Sequence, residues 1–183
     1  NVNTRCEHLD NTKLDSKNAS ALQFAIVVGN AEIVQLMIDS GADIHMGGRD
    51  KDTALHTAAE YGREKCVALL LKSGADIEAS DRHLDRALHR ASEEGKAKCI
   101  AILLENKAQI NAQNKIKRTA LHKAAYNGHN ECVRLLINNK ADLNVKSVYE
   151  ETPLYLAVYQ KHNECANLLS EGGADPNAKG KNG

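Results

Sequence analysis

Apolar residues along this chain fall at helical rather than alternating spacing, and the block they form keeps returning. From residue 53 onward, Leu55, Ala58 and Ala59 share one helical face, Thr53 ahead of them is a good N-cap, and Gly62 ends a helix of about nine residues. A second amphipathic run follows from about Glu64 to Lys72, with Cys66, Val67, Leu69 and Leu70 as its apolar stripe and Gly74 as its stop. Isolated helices below roughly 12–15 residues are marginal in water, so both must lean on neighbours.

The neighbours are further copies. Thr53-Ala54-Leu55-His56 returns as Arg86-Ala87-Leu88-His89, Thr119-Ala120-Leu121-His122 and Thr152-Pro153-Leu154-Tyr155, each 33 residues on. A fainter copy, Ser20-Ala21-Leu22-Gln23, stands 33 residues upstream. Within each period the order is a polar approach, this tetrapeptide, two small residues, a Gly, an apolar run and Gly-Ala-Asp-x-Asn or a variant. Self-similarity at a fixed period predicts a stacked array rather than a globule with one central core.

The motif blocks carry a resemblance. Thr119-Ala120-Leu121-His122-Lys123-Ala124 and Thr152-Pro153-Leu154 resemble the Thr-Pro-Leu-His-x-Ala block of the ankyrin repeat. Gly128 to Leu136 and Gly173-Ala174-Asp175-Pro176-Asn177-Ala178 resemble the rest of that pattern. The resemblance spans residues 15–179, as repeats of about 15–47, 48–80, 81–113, 114–146 and 147–179. It implies an all-α solenoid of helix-turn-helix units with projecting β-hairpin fingers, in which fingers and inner helices form a concave groove for other proteins. Residues 1–14 are expected to be a partial preceding repeat or a modified N-terminal cap, and residues 180–183 the start of a further repeat, so the chain reads as a piece of a longer protein.

Composition narrows the function. Lys and Arg number 24 against 24 Asp and Glu, so the total charge invites neither nucleic acid nor an anionic membrane. No stretch approaches the roughly 18 apolar residues of a membrane span, and the residues from Asn1 onward show no basic segment followed by an apolar core, so a secretory or membrane reading is not expected. Cys66, Cys99, Cys132 and Cys165 are also 33 apart, each in an apolar run, which reads as burial of a small apolar side chain. Equivalent helices stacked about 8–10 Å apart hold such cysteines too far from one another for disulfides. Free thiols suit an intracellular setting, cytoplasmic or nuclear.

The recurring His56, His89 and His122 raise the question of catalysis or metal binding. A metal needs ligands converging within about 2.1 Å of one point, and translation by one repeat keeps these apart. No Ser or Cys nucleophile recurs beside them, and no phosphate loop or zinc spacing is present. Neither an enzyme nor a cofactor is expected. The resemblance implies instead that these histidines tie adjacent hairpins by hydrogen bonds, and that His129 and His162, which open second helices, are architectural too.

Partner choice must then lie where the copies differ. By the resemblance, the variable places are the fingers, here Asp50 and Asp52, His83 and Asp85, Ile116 and Arg118, Tyr149 and Glu151, and the ends of the first helices, here Glu60-Tyr61, Glu93-Glu94, Tyr126-Asn127 and Tyr159-Gln160. Tyr joins a large apolar body to a polar tip, the combination enriched at interface hot spots; the plainer reading is that these tyrosines pad their own fingers. The expected ligand is a protein or peptide bound by an isolated monomeric domain, not a small-molecule substrate. A basic patch from Lys115, Lys117, Arg118 and Lys146, facing Glu93 and Glu94, leaves nucleic-acid binding as a lesser alternative, and a passive spacer is another.

Three departures from the family pattern complete the reading. Arg86 replaces the capping Thr and Leu84 the usual finger Gly, which marks the third copy as least stable or as recruited for binding. Lys107 and Lys140 stand where Gly ends the second helix elsewhere, a strained choice if that backbone is left-handed. Asn144 and Asn177 resemble sites of asparagine hydroxylation in ankyrin-like domains.

Overall fold

The computed structural model describes residues 20–48, 50–178 and 180. The expected piece at residues 1–14, and all but Gly180 of the one at 180–183, lie outside the described residues. Helices come in pairs: α1 (Ala21–Val28) with α2 (Ala31–Asp39), α3 (Ala54–Glu60) with α4 (Glu64–Lys72), α5 (Ala87–Glu93) with α6 (Ala97–Glu105), α7 (Ala120–Tyr126) with α8 (Asn130–Asn138), and α9 (Pro153–Tyr159) with α10 (Asn163–Glu171). The first helices α1, α3, α5, α7 and α9 stack on one another in that order, and the second helices form a parallel outer row.

The span of α4 agrees with the one read from its apolar stripe. The first helix is shorter than the nine residues expected: α3 has seven, because the chain leaves the helix at Tyr61 before it reaches Gly62. Gly62 then takes φ 65 in the left-handed region, and Arg63 N–H closes the end on the Ala58 carbonyl at 2.8 Å. The start is capped by the polar approach: Ser20 with Gln23 forms a reciprocal capping box in α1, and Thr152 followed by Pro153 opens α9.

Between the pairs run the fingers. No strand is present among the described residues; each finger is a tight hairpin loop without a ladder of its own. In the third copy Asp81 N–H donates to the Asp85 carbonyl at 2.9 Å and Leu84 N–H to the Asp81 carbonyl at 3.0 Å. Neighbouring fingers share a single backbone bond, from Arg82 to Asp50, Lys115 to His83 and Val148 to Ile116. One bond per junction is too little to build a sheet, but it aligns the tips. Leu84 at φ 58 is no anomaly, since Lys51, Lys117 and Glu150 take φ 63, 58 and 60 at the same place in their fingers.

One apolar core runs the length of the stack, with Leu22, Leu55, Leu88 and Leu121 of the first helices packed against Val34, Val67, Ile100 and Val133 of the second. Cys66, Cys99, Cys132 and Cys165 belong to it as free, buried thiols. Burial pushes Cys99 and Cys165 up to about 11 and Cys132 up to about 12, so these sulfurs stay protonated and apolar in character.

Lys107 and Lys140 do adopt left-handed backbone, with φ 70 and 67, where Gly41 and Gly74 have 85 and 88. Left-handed backbone costs an L-residue about 1–2 kcal/mol, against about 0.5–1 kcal/mol for the extra unfolded freedom of Gly. Lys107→Gly and Lys140→Gly are therefore each expected to stabilise the protein by roughly 0.5 kcal/mol. A urea midpoint that fell in either variant at unchanged slope would refute this reading.

Candidate partner-binding face

What holds the fingers in place is a buried polar ladder. Thr53 N–H donates to His56 Nδ1 at 3.1 Å, so that nitrogen carries no proton, and His56 Nε2–H donates to the Asp85 carbonyl at 3.0 Å. Arg86 N–H, His89 and the Arg118 carbonyl repeat the arrangement at 3.2 and 3.1 Å, and Thr119 N–H, His122 and the Glu151 carbonyl at 3.1 and 3.1 Å. Gln23 imitates it, with Oε1 accepting from Ser20 N–H at 2.9 Å and Nε2 donating to the Asp52 carbonyl at 2.8 Å. Each ring thus ties the start of its own helix to the end of the next finger. Burial lowers the pKa of His56 and His89 and brings His122 down to about 4, so the rings are neutral. Among the described residues no three His, Cys, Asp or Glu side chains cluster to hold a metal ion.

A parallel tie operates at the second helices. His129 Nε2 bonds the Glu93 carbonyl at 2.9 Å, and His162 Nε2 the Tyr126 carbonyl at 3.0 Å. The ends of α5 and α7, where variable side chains sit, are therefore anchored by the following repeat.

Between fingers and first helices lies a groove of about 420 Å³, lined by Asp50, His83, Asp85, Glu93 and Ile116 together with Arg90, Asn114, Lys115 and Lys123. Its charges are largely matched within the chain. Arg90 pairs with buried Asp81 at 2.6 Å, Lys123 with Asp85 at 3.3 Å and with Glu93 at 3.1 Å, and Arg82 with Asp50 at 2.8 Å. Burial alone pushes Asp85 up, but the Lys123 ammonium and the hydrogen bond from Asn114 outweigh it and hold the carboxyl below its ordinary range. Asp52, half-buried at the neighbouring finger, is pushed up by burial.

The aromatic positions lie toward the other end. Tyr126, Tyr149 and Tyr159 are 38%, 49% and 68% exposed. Tyr126 carries the Arg118 guanidinium 5.4 Å from its ring centroid, so it does rest on its own finger, while Arg118 also pairs with Glu151 at 2.7 Å. Tyr159 stacks on Tyr155, with centroids 6.2 Å apart and ring planes 15° from parallel. Asn127 is exposed, with its amide bonded to the Lys123 carbonyl at 2.9 Å. Glu60, Tyr61, Glu94 and Gln160 are half-buried at their helix ends.

The expected basic patch is smaller than its sequence suggests. Arg118 is taken up by Glu151, which stacking brings alongside from the next finger, and Lys146 pairs at 3.3 Å with Glu150 four residues on, both side chains remaining exposed. Lys115 and Lys117 are left exposed at one tip, and it is Lys123 that meets Glu93. Arg86 is likewise engaged, pairing with Glu78 at 2.6 Å, and neither residue lines the groove.

A sequence profile described as Ankyrin repeats (3 copies) matches residues 3–81, 22–114 and 88–180. The chain belongs to the ankyrin-repeat family. It is 39% identical over 56 residues to the Notch-regulated ankyrin repeat-containing protein of Xenopus tropicalis, of Homo sapiens and of Mus musculus, a match covering 31% of this chain and 48% of each relative. The chain spans about half the length of the curated relatives it matches. Ankyrin repeats are generally protein-interaction modules and generally non-catalytic. No helix among the described residues is long and apolar enough to cross a membrane.

In this ankyrin array the groove contains Asn114 and Lys123, which sequence reasoning passed over, and Arg90, which it reads only as a departure of the third copy from the family pattern. Arg90 and Lys123 do share one place in the repeat, directly after the histidine, and that was the available signal. Asn144 is exposed and its Oδ1 accepts from Asp175 N–H at 2.8 Å, as Asn111 does from Asp142 at 2.9 Å. Asn177 donates its N–H to Asp175 Oδ1 at 2.9 Å. Both asparagines sit in the turns that follow second helices.

Proposed function

We propose that this chain is a non-catalytic recognition module that holds a protein or peptide segment against its finger tips and the ends of its first helices. The observation that carries the reading is where large apolar surface stays exposed. Beyond the first repeat, where Val28, Ile33 and Leu36 are also exposed, the large apolar side chains more than a third open among the described residues are Leu84, Val148 and Tyr149 on fingers and Tyr126, Val158 and Tyr159 on first helices. Exposed aromatic side chains on a rigid support bind at small entropic cost, which favours recognition over a spacer role. Nucleic-acid binding loses ground because Arg118 is paired with Glu151 and the remaining lysines of that patch stand beside the acids of the last finger.

The test uses the whole chain as bait in cell lysate, compared with Tyr126→Ala, Tyr149→Ala and, on exposed outer helix α8, Arg134→Ala. Recovery of specific partners is expected to drop about tenfold for the two tyrosine variants and to hold for Arg134→Ala, with melting temperatures unchanged. Equal recovery by all four proteins would remove the face from consideration.

A further inference from the structure

The exit of each first helix makes one fixed demand and leaves one position free. Gly29, Gly62, Gly95 and Gly128 take φ 87, 65, 68 and 73, and Lys161 takes 62, so left-handed backbone recurs at every exit and favours glycine there. The residue just before it follows no pattern: Val28, Tyr61, Glu94, Asn127 and Gln160. Of these five exits, the fourth alone sets an asparagine in front of the required glycine.

That pair carries a chemistry of its own. The backbone nitrogen that follows an asparagine can attack the side-chain amide carbon, and a glycine at that place has no Cβ to hinder the approach. The N–Cγ bond forms, the Cγ–Nδ2 bond breaks, and ammonia leaves with the proton of the attacking nitrogen, giving a five-membered succinimide. Water then opens either carbonyl of the ring, to aspartate or to isoaspartate. The sum is asparagine plus water to an acid plus ammonia, with water as the only co-reactant.

The folded chain withholds both reacting groups. Asn127 sits at φ −93 and ψ 1, whereas ring closure needs the Gly128 nitrogen turned to the Cβ side, a ψ outside the allowed basins. The Asn127 carboxamide donates to the Lys123 carbonyl at 2.9 Å, and His129 N–H closes the turn on the Ala124 carbonyl at 3.0 Å. Gly128 N–H reaches the Ala125 carbonyl only at 3.4 Å, the longest bond of this turn. Over it stands the ring of His162, 2.5 Å from where a Cβ on Gly128 would lie, with Nε2 bonded to the Tyr126 carbonyl at 3.0 Å. The Asn127 side chain is itself exposed, so water has access once the turn opens.

We propose that Asn127 is a site of spontaneous deamidation gated by the fifth repeat, reacting only when release of the His162 tie lets the turn between α7 and α8 open. The product hinders reclosure. A carboxylate has no N–H to give the Lys123 carbonyl, it lies at a helix C-terminus where negative charge is disfavoured, and isoaspartate adds a carbon to the backbone of a closed turn. The new charge also arises beside exposed Tyr126.

The full chain, kept in mildly alkaline native buffer or in concentrated urea, tests this by tandem mass spectrometry of the tryptic fragment at 124–134, which excludes the other Asn-Gly pair at 182–183. Conversion of Asn127 is expected in urea and at least about tenfold more slowly in native buffer, where the rate scales with the fraction of open turns. His162→Ala should speed the native reaction roughly fivefold, the worth of one hydrogen bond, and leave the rate in urea unchanged. Asn30→Ala, which removes the cap of α2 at the far end of the stack, should leave the native Asn127 rate as it is. Native conversion as fast as in urea, indifference to His162→Ala, or equal acceleration by Asn30→Ala would overturn the gate. A fragment that stays unmodified in urea would overturn the site itself.

Discussion

Lowering the pH from 7 to 5 is expected to cost this protein several kcal/mol of stability, well before its carboxylates protonate. His122 has its pKa brought from 6.5 to about 4, chiefly by burial, and His56 and His89 shift in the same direction for the same reason. A folded-state value below the unfolded one means that the unfolded chain binds more protons, so stability is fully present above pH 6.5 and is lost as the pH falls toward 4. For His122 alone the loss is about 2 kcal/mol at pH 5 and approaches roughly 3 kcal/mol once both states are protonated. His56 and His89 add losses of the same sign, and Asp85, held below its ordinary value of 3.8, contributes only in more acidic solution.

The reason is geometric. Nδ1 must accept from the helix-start N–H, and a protonated ring would turn that bond into a donor facing a donor. Gln23 does the same work with a side chain that does not titrate, which supplies the control. His122→Gln is expected to keep stability at pH 7 within about 1 kcal/mol and to flatten the acid loss. Urea unfolding at pH 7 and pH 5 on both proteins checks this; a wild-type protein whose midpoint is the same at the two pH values would refute the tautomer assignment.

Gly128→Ala is expected to destabilise the protein by about 3 kcal/mol, and Gly74→Ala by only about 1 kcal/mol. Both glycines have positive φ, 73 and 88, so both alanines bear backbone strain. They differ in what a Cβ would meet: at Gly74 nothing lies within 4 Å, whereas at Gly128 the His162 ring stands at 2.5 Å. That ring cannot simply swing away, because its Nε2 bonds the Tyr126 carbonyl at 3.0 Å and so ties the fifth repeat to the end of α7. Thermal unfolding separates strain from collision, since adding His162→Ala to Gly128→Ala should recover the collision part alone. Equal losses for the two single alanine variants would mean that strain accounts for everything. The same displacement would move the helix end bearing Tyr126, so ligand binding should weaken along with stability.

The groove shows how far the candidate site could be read in advance. Asp50, His83, Asp85, Glu93 and Ile116 were picked only as non-repeating positions, and they converge on one cavity. They do so because the frame places equivalent positions of successive fingers and helices side by side. The other expected positions stand outside that cavity: Asp52, Glu60, Tyr61, Glu94, Arg118, Tyr126 and Asn127 beside it in the chain, and Tyr149, Glu151, Tyr159 and Gln160 in the last repeat. The histidine ties between repeats were legible through the family resemblance, whereas the ion pairs between repeats were not. Lys123 reaches Asp85 across 38 residues and Arg118 reaches Glu151 across 33, and no local spacing announces either pair.

From the sequence alone come the repeat period, the pairing of short helices, their caps and glycine stops, and the burial of the cysteine series. All of these follow from signals within a few residues, copied from one repeat to the next. Tertiary structure alone decided the histidine tautomer, the loss of the basic patch to ion pairs, and the left-handed backbone at Lys107 and Lys140. The ring's bond to the next finger and the Arg118–Glu151 pair join residues about one repeat apart, and the left-handed backbone depends on the exact exit of the chain from a packed helix.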